Sequence, residues 1–348
     1  MTSTDLINEQ ATAWLSEEES PGVRYLALRD LLDLPEDDKE LIAAREVAHE
    51  VGPIATVLSN MDEKGFWMKA GPGYSPKYKS TVWSLILLAQ LGASKKQDPR
   101  IAKACDYFID QAITPGGQVS ASSAPSYTID CLQGNMCWAL LELGCDPARL
   151  AHAYEWMARS VTGEGIAPKE DKKAEVRYYA YKCGPDFQCG ANKGPCAWGA
   201  TKVALALGKL APADRSPLIE RAFERAVEFF FSVDLATAGW AQSSGTQPNR
   251  DWWLFGFPVF YITDLLQVAE VLTSLGYGPD PRVAPTLDLI RQKQDELHRW
   301  KLEYAYGCKT WGNYGMRGKP NKWVTLRALR VVKKACGGLA ESLTWLEG

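Results

Sequence analysis

The sequence predicts an all-helical protein in which repeated helix hairpins form an α/α toroid, with an inner and an outer layer of helices. Three observations predict this fold class. Apolar segments with helical spacing end on a shared Leu-Gly pair, a helix-start signal follows each pair, and the cycle recurs at the length of a helix hairpin. In a chain of 348 residues we expect about six hairpins and one domain, residues 1–348.

The inner helices are predicted to end at four Leu-Gly pairs. Glycine enters the left-handed backbone region without a Cβ clash, and it is therefore a favoured residue just after a helix. The pairs are Leu91-Gly92, Leu143-Gly144, Leu207-Gly208 and Leu275-Gly276.

The outer helices are predicted to begin a few residues after each pair. Asp or Ser is a good N-cap, and proline fits the first helical turn. The start signals are Asp98-Pro99, Asp146-Pro147, Ser216-Pro217 and Asp280-Pro281. The segments that follow carry charge on one face, as a layer in contact with water should.

The two ends of the chain supply the remaining helices. We expect a pair over 23–32 and 39–59 and a final helix over 322–336. The aromatic runs at 177–181 and 252–261 lack the alternation bounded by turns that marks a strand, so no sheet is predicted.

The charge and composition of the sequence limit the binding partners and the cellular location that we expect. The formal charge of −3 supplies no basic field for a nucleic-acid backbone, so nucleic acid is not expected as a partner. No apolar run reaches the length of a membrane span, and the first residues have no signal-peptide pattern. We therefore expect a cytoplasmic protein, in which nine cysteines point to core thiols together with a metal or reactive site.

Over nearly its whole length the chain resembles the prenyltransferase and squalene-cyclase repeat proteins, which include terpenoid cyclases and protein prenyltransferase β subunits. Four segments are similar to those of bacterial members of this class: VRYLALR (23–29), CLQGN (131–135), CAWG (196–199) and WVTLRAL (323–329). The resemblance implies a toroid with an apolar central pocket.

Two departures limit what the resemblance implies about chemistry. The sequence lacks the Asp-x-Asp-Asp acid of class II cyclases, which argues against squalene-type cyclisation. Its only histidines are His49, His152 and His298, on or just beyond predicted outer helices. A farnesyltransferase-type zinc site therefore cannot be carried over intact.

Cysteines gather at the predicted starts of two inner helices. Cys131 and Cys196 begin consecutive inner helices, and Cys189 and Cys183 lie in the loop before Cys196. Free N–H groups and the helix dipole favour thiolates, and thiolates are ligands for tetrahedral zinc. We therefore predict a zinc site of Cys131, Cys183, Cys189 and Cys196.

Alternatives to this ligand set stay open. Asp130 or Cys308 can replace Cys183, or the fourth position can be left to substrate, which would indicate catalysis rather than structure. The thiols can also be metal-free, as buried apolar groups, as a reactive nucleophile or as a Cys183–Cys189 disulfide. The remaining cysteines, which lie within or at the ends of helices, are expected to be core thiols: Cys105, Cys137, Cys145 and Cys336.

Catalytic groups are predicted from residues near these helix starts. Tyr261 and Asp264 are three positions apart and would share one face of a helix. With Asp130, they are our predicted proton-transfer residues.

Aromatic residues and one arginine are the predicted substrate contacts. Aromatic walls suit flat apolar ligands; core packing is the alternative for the aromatic residues, and a surface salt bridge is the alternative for the arginine. The predicted contacts are Arg24, Tyr25, Trp198, Trp253, Phe257, Tyr304, Trp311 and Trp323.

Together these features predict an enzyme of the terpene-cyclase and prenyltransferase-like class, of lyase, cyclase or transferase type. It would hold a cysteine-ligated zinc at the mouth of an aromatic pocket and act on a small, largely apolar substrate such as an isoprenoid. The alternative is a non-catalytic toroid that binds a ligand or protein and in which an all-cysteine zinc site is structural.

Overall fold

The structure is a computed structural model, and it describes residues 9–190, 194–240 and 250–344. The chain groups into two compact units. The first unit comprises Met1–Ser59, Arg250–Val259 and Asp264–Gly348, and the second comprises Asn60–Asn249 and Phe260–Thr263. The expectation of a single domain therefore stays a prediction.

The described elements are helices apart from one short hairpin of two strands. In chain order the helices are α1 (Glu9–Leu15), α2 (Pro21–Asp30), α3 (Lys39–Glu50), α4 (Pro53–Ser59), α5 (Thr81–Gln90), α6 (Pro99–Ala112), α7 (Asp130–Glu142), α8 (Pro147–Thr162), α9 (Ala197–Lys209), α10 (Pro217–Phe231), α11 (Leu265–Ser274), α12 (Ala284–Gln292) and α13 (Lys322–Thr344). The strands are β1 (Gln188–Cys189) and β2 (Gly194–Pro195). None of the described helices is long and apolar enough to cross a membrane.

The second unit consists of three hairpins in two layers. Helices α5, α7 and α9 are buried along most of their length, and α7 lies between the other two. Helices α6, α8 and α10 bury one face only, and α8 packs against α10. The predicted division into inner and outer helices is confirmed in this unit.

The first unit repeats the pattern with different partners. Helix α13 packs against α2 and α11, while α3 and α12 lie on α2 and α11, respectively. The predicted helix over 39–59 is interrupted at Gly52, whose φ of +93° ends α3 before α4 begins.

Most of the predicted helix ends are confirmed. Gly92, Gly144 and Gly276 have φ of +78°, +94° and +85° and follow α5, α7 and α11. The prediction for Gly208 is wrong, because α9 continues through it to Lys209. Glycine permits the left-handed conformation but does not impose it.

The predicted helix starts are confirmed at three of the four positions. The side chains of Asp98, Asp146 and Ser216 accept hydrogen bonds from backbone N–H groups in the first turns of α6, α8 and α10. Asp280 does not cap α12: the chain first makes a turn in which Val283 N–H donates to the Asp280 carbonyl at 2.9 Å, and α12 begins at Ala284.

The prediction that the chain forms no sheet is also wrong. Strands β1 and β2 pair antiparallel, with Gln188 opposite Pro195 and Cys189 opposite Gly194. Each strand has only two residues, which is too short for an alternating pattern to appear in the sequence.

Helices α7 and α9 approach each other closely at Gly134. A Cβ atom placed on Gly134 would lie 2.3 Å from the carbonyl carbon of Lys202 and 2.6 Å from the nitrogen of Val203. These distances are below van der Waals contact, so only glycine allows the two backbones to meet. This crossing fixes how the N-terminal ends of α7 and α9 are arranged.

We predict that Gly134→Ala lowers the free energy of unfolding by roughly 1–3 kcal/mol, as overpacking of a core typically does. In the interior of a helix the same substitution ordinarily raises stability by about 0.5–1 kcal/mol. The sign measured by urea denaturation therefore tests the close contact, and a more stable variant would contradict it.

Candidate active site

The starts of α7 and α9 lie together in the second unit. Asp130 is the first residue of α7, and Cys196 caps α9 by accepting a hydrogen bond from Gly199 N–H at 3.4 Å. A Cβ atom on Gly199 would lie 2.9 Å from Cβ of Asp130. Gly199 is therefore in contact with Asp130, which joins the first turns of the two helices.

Three of the four predicted zinc ligands lie near these helix starts. The thiol of Cys196 is hydrogen-bonded to Cys189, and Cys131 lies within electrostatic range of both. Cys183 has a different partner, since its thiol donates to the carbonyl of Gly190 at 3.4 Å. Cys308, an alternative fourth ligand, is an exposed residue of the first unit.

The environment favours protonated thiols at this end of the helices. Burial raises the pKa of Cys131 to about 12, with Cys189 and Asp130 adding to the shift and Lys202 opposing it. The pKa of Cys196 is also raised, first by its hydrogen bond to Cys189 and then by burial. The expected stabilisation of thiolates by the helix N-termini is therefore outweighed by desolvation.

The side chains near these helix starts do not form a complete metal site. In the part of the chain that the structure describes, no group of three or more His, Cys, Asp and Glu residues could hold a metal ion. Zinc at these thiols therefore stays a prediction.

Asp130, the residue before Cys131, belongs to a buried ion pair. Lys182 Nζ donates to Oδ2 of Asp130 at 2.7 Å, and the side chains are only 2% and 4% exposed. Burial raises the pKa of Asp130, and the Lys182 ammonium opposes this shift. Sequence reasoning missed Lys182, although a lysine within the otherwise aromatic run YYAYKC was a detectable signal.

An aromatic wall lies in the same unit, and we define it as Tyr74, Tyr78, Trp83, Trp198, Phe260 and Tyr261. Trp83 is its centre, with ring centroids 5.3 Å from Tyr74, 5.3 Å from Tyr78, 5.5 Å from Phe260 and 5.8 Å from Tyr261. Trp198 lies edge-on to Tyr261 at 5.8 Å. The wall combines the loop before α5, the start of α9 and the segment before α11.

The hydroxyl group of Tyr261 has two polar neighbours. Lys77 Nζ donates to its oxygen at 3.3 Å, and the oxygens of Tyr78 and Tyr261 are 3.5 Å apart. Burial raises the pKa of Tyr74 to about 12, and the nearby Cys131 and Tyr261 add to the shift. Tyr74 therefore lies within electrostatic range of both the thiols and the hydroxyl groups.

Sequence reasoning missed three residues of this region. Tyr74, Lys77 and Tyr78 lie in the loop GPGYSPKYKS before α5. The loop has the same aromatic and glycine-rich character as the segment 304–314, from which substrate contacts were predicted. That composition could have identified it.

One buried donor of the wall has no partner. The indole Nε1 of Trp198 is buried and makes no hydrogen bond with the described residues. Leaving a buried N–H group unsatisfied costs free energy, so the group is suited to donate to a ligand.

The prediction that Tyr261 and Asp264 share a helix face is wrong. Both precede α11, and Asp264 is its N-cap, accepting from Gln267 N–H at 2.8 Å. Asp264 also receives two hydrogen bonds from the Arg327 guanidinium, each 2.8 Å long. Burial acts to raise its pKa, but Arg327 and two backbone N–H groups outweigh it and hold the pKa below its usual value. Asp264 has the extended backbone that is typical of an N-cap residue, so α11 begins only after it.

Arg24 and Tyr25 have structural partners in the first unit. Arg24 Nη2 donates to Oε1 of Glu40 at 2.7 Å, and its Nη1 donates to the carbonyl of Ser16. Tyr25 is buried, and the guanidinium of Arg29 lies 5.5 Å from its ring centroid. The salt-bridge alternative for Arg24 therefore accounts for its position.

The other predicted substrate contacts of the first unit form a separate aromatic group. Phe257 and Trp323 are stacked with centroids 4.5 Å apart, and Tyr314 lies edge-on to both. Tyr304 lies edge-on to Tyr306 at 5.3 Å. Trp253 and Trp311 are half-buried, and the Trp253 carbonyl accepts from Lys293.

The first unit also contains a cavity of about 290 Å³ that sequence reasoning did not find. It lies beside the end of α12, and Lys293 inside it is bonded to Glu303 and to the Trp253 carbonyl. The lining residues are Phe255, Gln292, Lys293, Gln294, Asp295, Trp300, Lys301 and Glu303.

Comparisons with known proteins identify the fold class. No protein-family model matches the chain, and no curated protein matches its sequence. A solved structure of a glycosyl hydrolase of family 88 from Bacteroides vulgatus matches with a TM-score of 0.52 and 11% identity, covering 97% of this chain and 100% of its own. A polysaccharide lyase matches with a TM-score of 0.51 and 13% identity, covering 97% of each chain.

A type II terpene cyclase from Scytonema is more distant. Its TM-score is 0.33 at 12% identity, covering 85% of this chain and 99% of its own. The hydrolase and the lyase, which match over nearly the whole chain, are enzymes with an α/α-toroid fold. The predicted fold class, an all-helical α/α toroid, is confirmed.

We predict that Lys182→Met lowers the free energy of unfolding at pH 7 by about 3–5 kcal/mol, because it leaves Asp130 buried without a counter-ion. Without the ammonium, burial raises the pKa of Asp130 further above its unfolded value. The loss should therefore shrink as the pH falls and the carboxylate takes up a proton.

Urea denaturation at pH 7 and pH 5 measures both effects. Arg225→Ala is the control, because it removes an ion pair with Asp186 in which both side chains are about half exposed, 48% and 51%. We expect that control to lose at most about 1 kcal/mol. An equal loss in the two variants would rule out a buried, compensated charge at Asp130.

Proposed function

We propose that the protein is an enzyme that binds a small, largely apolar substrate against the aromatic wall and moves a proton through Tyr261. The observation that carries the proposal is the meeting of Lys77, Tyr78 and Tyr261 at hydrogen-bonding distance within an aromatic surface. The fold is shared with a hydrolase and a lyase, which supports an enzyme in general.

Tyr261 suits proton transfer better than the two predicted carboxylates. It is half-buried, so a ligand reaches its hydroxyl, whereas Asp130 and Asp264 are both 4% exposed and held in ion pairs. Lys77 Nζ at the phenol oxygen compensates negative charge that develops there as the proton leaves. The role of Asp130 is then to position the start of α7.

The wall also indicates the kind of substrate. Aromatic faces bind flat or chain-like apolar groups, and their quadrupoles stabilise positive charge. The unpaired Nε1 of Trp198 adds one donor, which suits an oxygen atom on the substrate. An isoprenoid or aromatic compound with a hydroxyl group combines these features.

The proposal is tested with a matched pair of probes, 2-naphthol and naphthalene, whose binding is followed by calorimetry. We expect the folded chain to bind both and to prefer 2-naphthol, because its oxygen accepts from Trp198. Trp198→Phe keeps an aromatic side chain but removes the N–H donor and part of the ring area, so we expect about tenfold weaker binding of 2-naphthol and a clearly smaller loss for naphthalene.

Two controls separate this site from other aromatic surfaces. Trp253→Phe, in the first unit, should leave both affinities unchanged. Tyr261→Phe should bind within about twofold of the parent chain but lose turnover of any substrate found among hydroxylated isoprenoids. Failure of both probes to bind would refute an apolar substrate.

Zinc at the thiols is a separate proposal, supported by the proximity of Cys131, Cys189 and Cys196. Protein purified without chelator should contain about one equivalent of zinc, and Cys131→Ser should lose it. Cys137→Ser is the control, because that thiol is buried within α7 beside Gln133. No zinc in the parent protein would rule out the metal and leave a site of protonated thiols.

The same measurement separates the enzyme from the alternative of a structural zinc module. Chelation that unfolds the chain, followed by circular dichroism, would favour the module. Chelation that leaves the helices intact but abolishes turnover favours the enzyme.

A further inference from the structure

A second pair of thiols lies away from the aromatic wall. Cys105 is on the buried face of α6, and Cys145 is in the turn between α7 and α8. Their exposed fractions are 1% and 6%, and they lie at the same junction, because Asp106, next to Cys105, forms an ion pair with Arg149 in the first turn of α8. The pair therefore joins two consecutive hairpins of the second unit.

The turn holds Cys145 firmly in this position. Gly144 has a φ of +94°, and Cys145 N–H donates to the carbonyl of Leu140 at 2.9 Å. The next residue, Asp146, caps α8. Both sides of Cys145 are thus fixed by the end of one helix and the start of the next.

Charged side chains surround the pair. The backbone N–H of Lys95 donates to the Leu143 carbonyl at 3.0 Å, which brings Lys95 beside the turn. Arg149, in the first turns of α8, forms an ion pair with Asp106 of α6. Two cations and one carboxylate therefore lie within electrostatic range of the thiols.

These surroundings shift the pKa values of the two thiols in opposite directions. The neighbouring Cys105 thiol lowers the pKa of Cys145; burial and Asp106 oppose the shift, and Lys95 and Arg149 reinforce it. The pKa of Cys105 is raised, first by the Cys145 thiol and then by burial. Cys137, a buried thiol of α7 with no thiol partner in these contacts, shows the contrast: burial raises its pKa to about 12.

We propose that Cys145 is a peroxide-reactive thiol and that Cys105 resolves its oxidised form into a disulfide between adjacent hairpins. Hydrogen peroxide is the oxidant, because it is small enough to reach a sulfur that is almost buried. The site lies beyond the C-terminal end of α7, whereas Cys131 is at the N-terminal end, so the inference is independent of the proposed enzyme function.

The chemistry balances in two steps. The Cys145 thiolate attacks one peroxide oxygen, the O–O bond breaks, and with one proton taken up the products are a sulfenic acid and water. The Cys105 sulfur then attacks the Cys145 sulfur, and its proton leaves with the hydroxyl group as a second water. Two thiols are oxidised by two electrons in total, and one peroxide is reduced to two waters.

Oxidation of the reduced full-length chain with hydrogen peroxide tests the proposal. After alkylation and digestion, mass spectrometry should find a Cys105–Cys145 peptide as the first disulfide to form. The linked protein should unfold at a temperature higher by a few degrees, because the bond constrains the unfolded chain.

Single variants separate the attacking from the resolving thiol. Cys105→Ala should block the disulfide and leave a sulfenic acid on Cys145 that dimedone labels at least fivefold more than in the parent chain. Cys145→Ala should give neither product, and the control Cys137→Ala should behave like the parent.

Two outcomes would overturn the proposal. In the first, Cys105 and Cys145 stay reduced while Cys189 and Cys196 become linked. In the second, dimedone labels Cys105 rather than Cys145. The parent chain alone decides the first point, so the test stands even if a variant fails to fold.

Discussion

The close crossing of α7 and α9 at Gly134 is the constraint on which the candidate site depends. Since no side chain separates the backbones there, the first turns of the two helices meet, with Gly199 against Asp130. Cys131 and Cys196 occupy those turns and so come near each other. The site is thus assembled by helix packing, and the connecting loops add to it.

Burial then determines the charge state of what the packing brings together. Asp130 and Asp264 are both 4% exposed, yet their pKa values shift in opposite directions. Asp130 has one lysine, which does not offset the desolvation of the carboxylate. Asp264 has a bidentate guanidinium and two backbone N–H donors, and these interactions outweigh desolvation. The Asp264 carboxylate therefore keeps its charge and stabilises the structure. A group that transfers protons has to change its protonation state more easily.

The sequence predicted what local patterns encode and little of what distant contacts create. Caps such as Asp98 and Asp146 act on N–H groups two residues away, so they could be identified directly. The partner of Asp130 is 52 residues distant, and Lys77 and Tyr261 are 184 residues apart. No spacing rule connects such residues. The aromatic wall was only partly predicted for the same reason: its tyrosines come from loops whose course depends on packing, while Trp198 lies on a helix whose start was predicted.

The two ends of α7 show how one helix supports two kinds of thiol. At its N-terminal end, Cys131 faces the helix dipole in a favourable orientation, yet burial and the nearby Asp130 keep it protonated. Beyond its C-terminal end, Cys145 lies between the unfavourable end of the α7 dipole and the favourable start of α8, and it has the lower pKa because the Cys105 thiol and two cations are near. Neighbouring groups therefore decide the charge state of a thiol here more than the dipole of α7 does. A reactive cysteine in a helical repeat protein of this kind is better sought by its partners across hairpins than by its position on a helix.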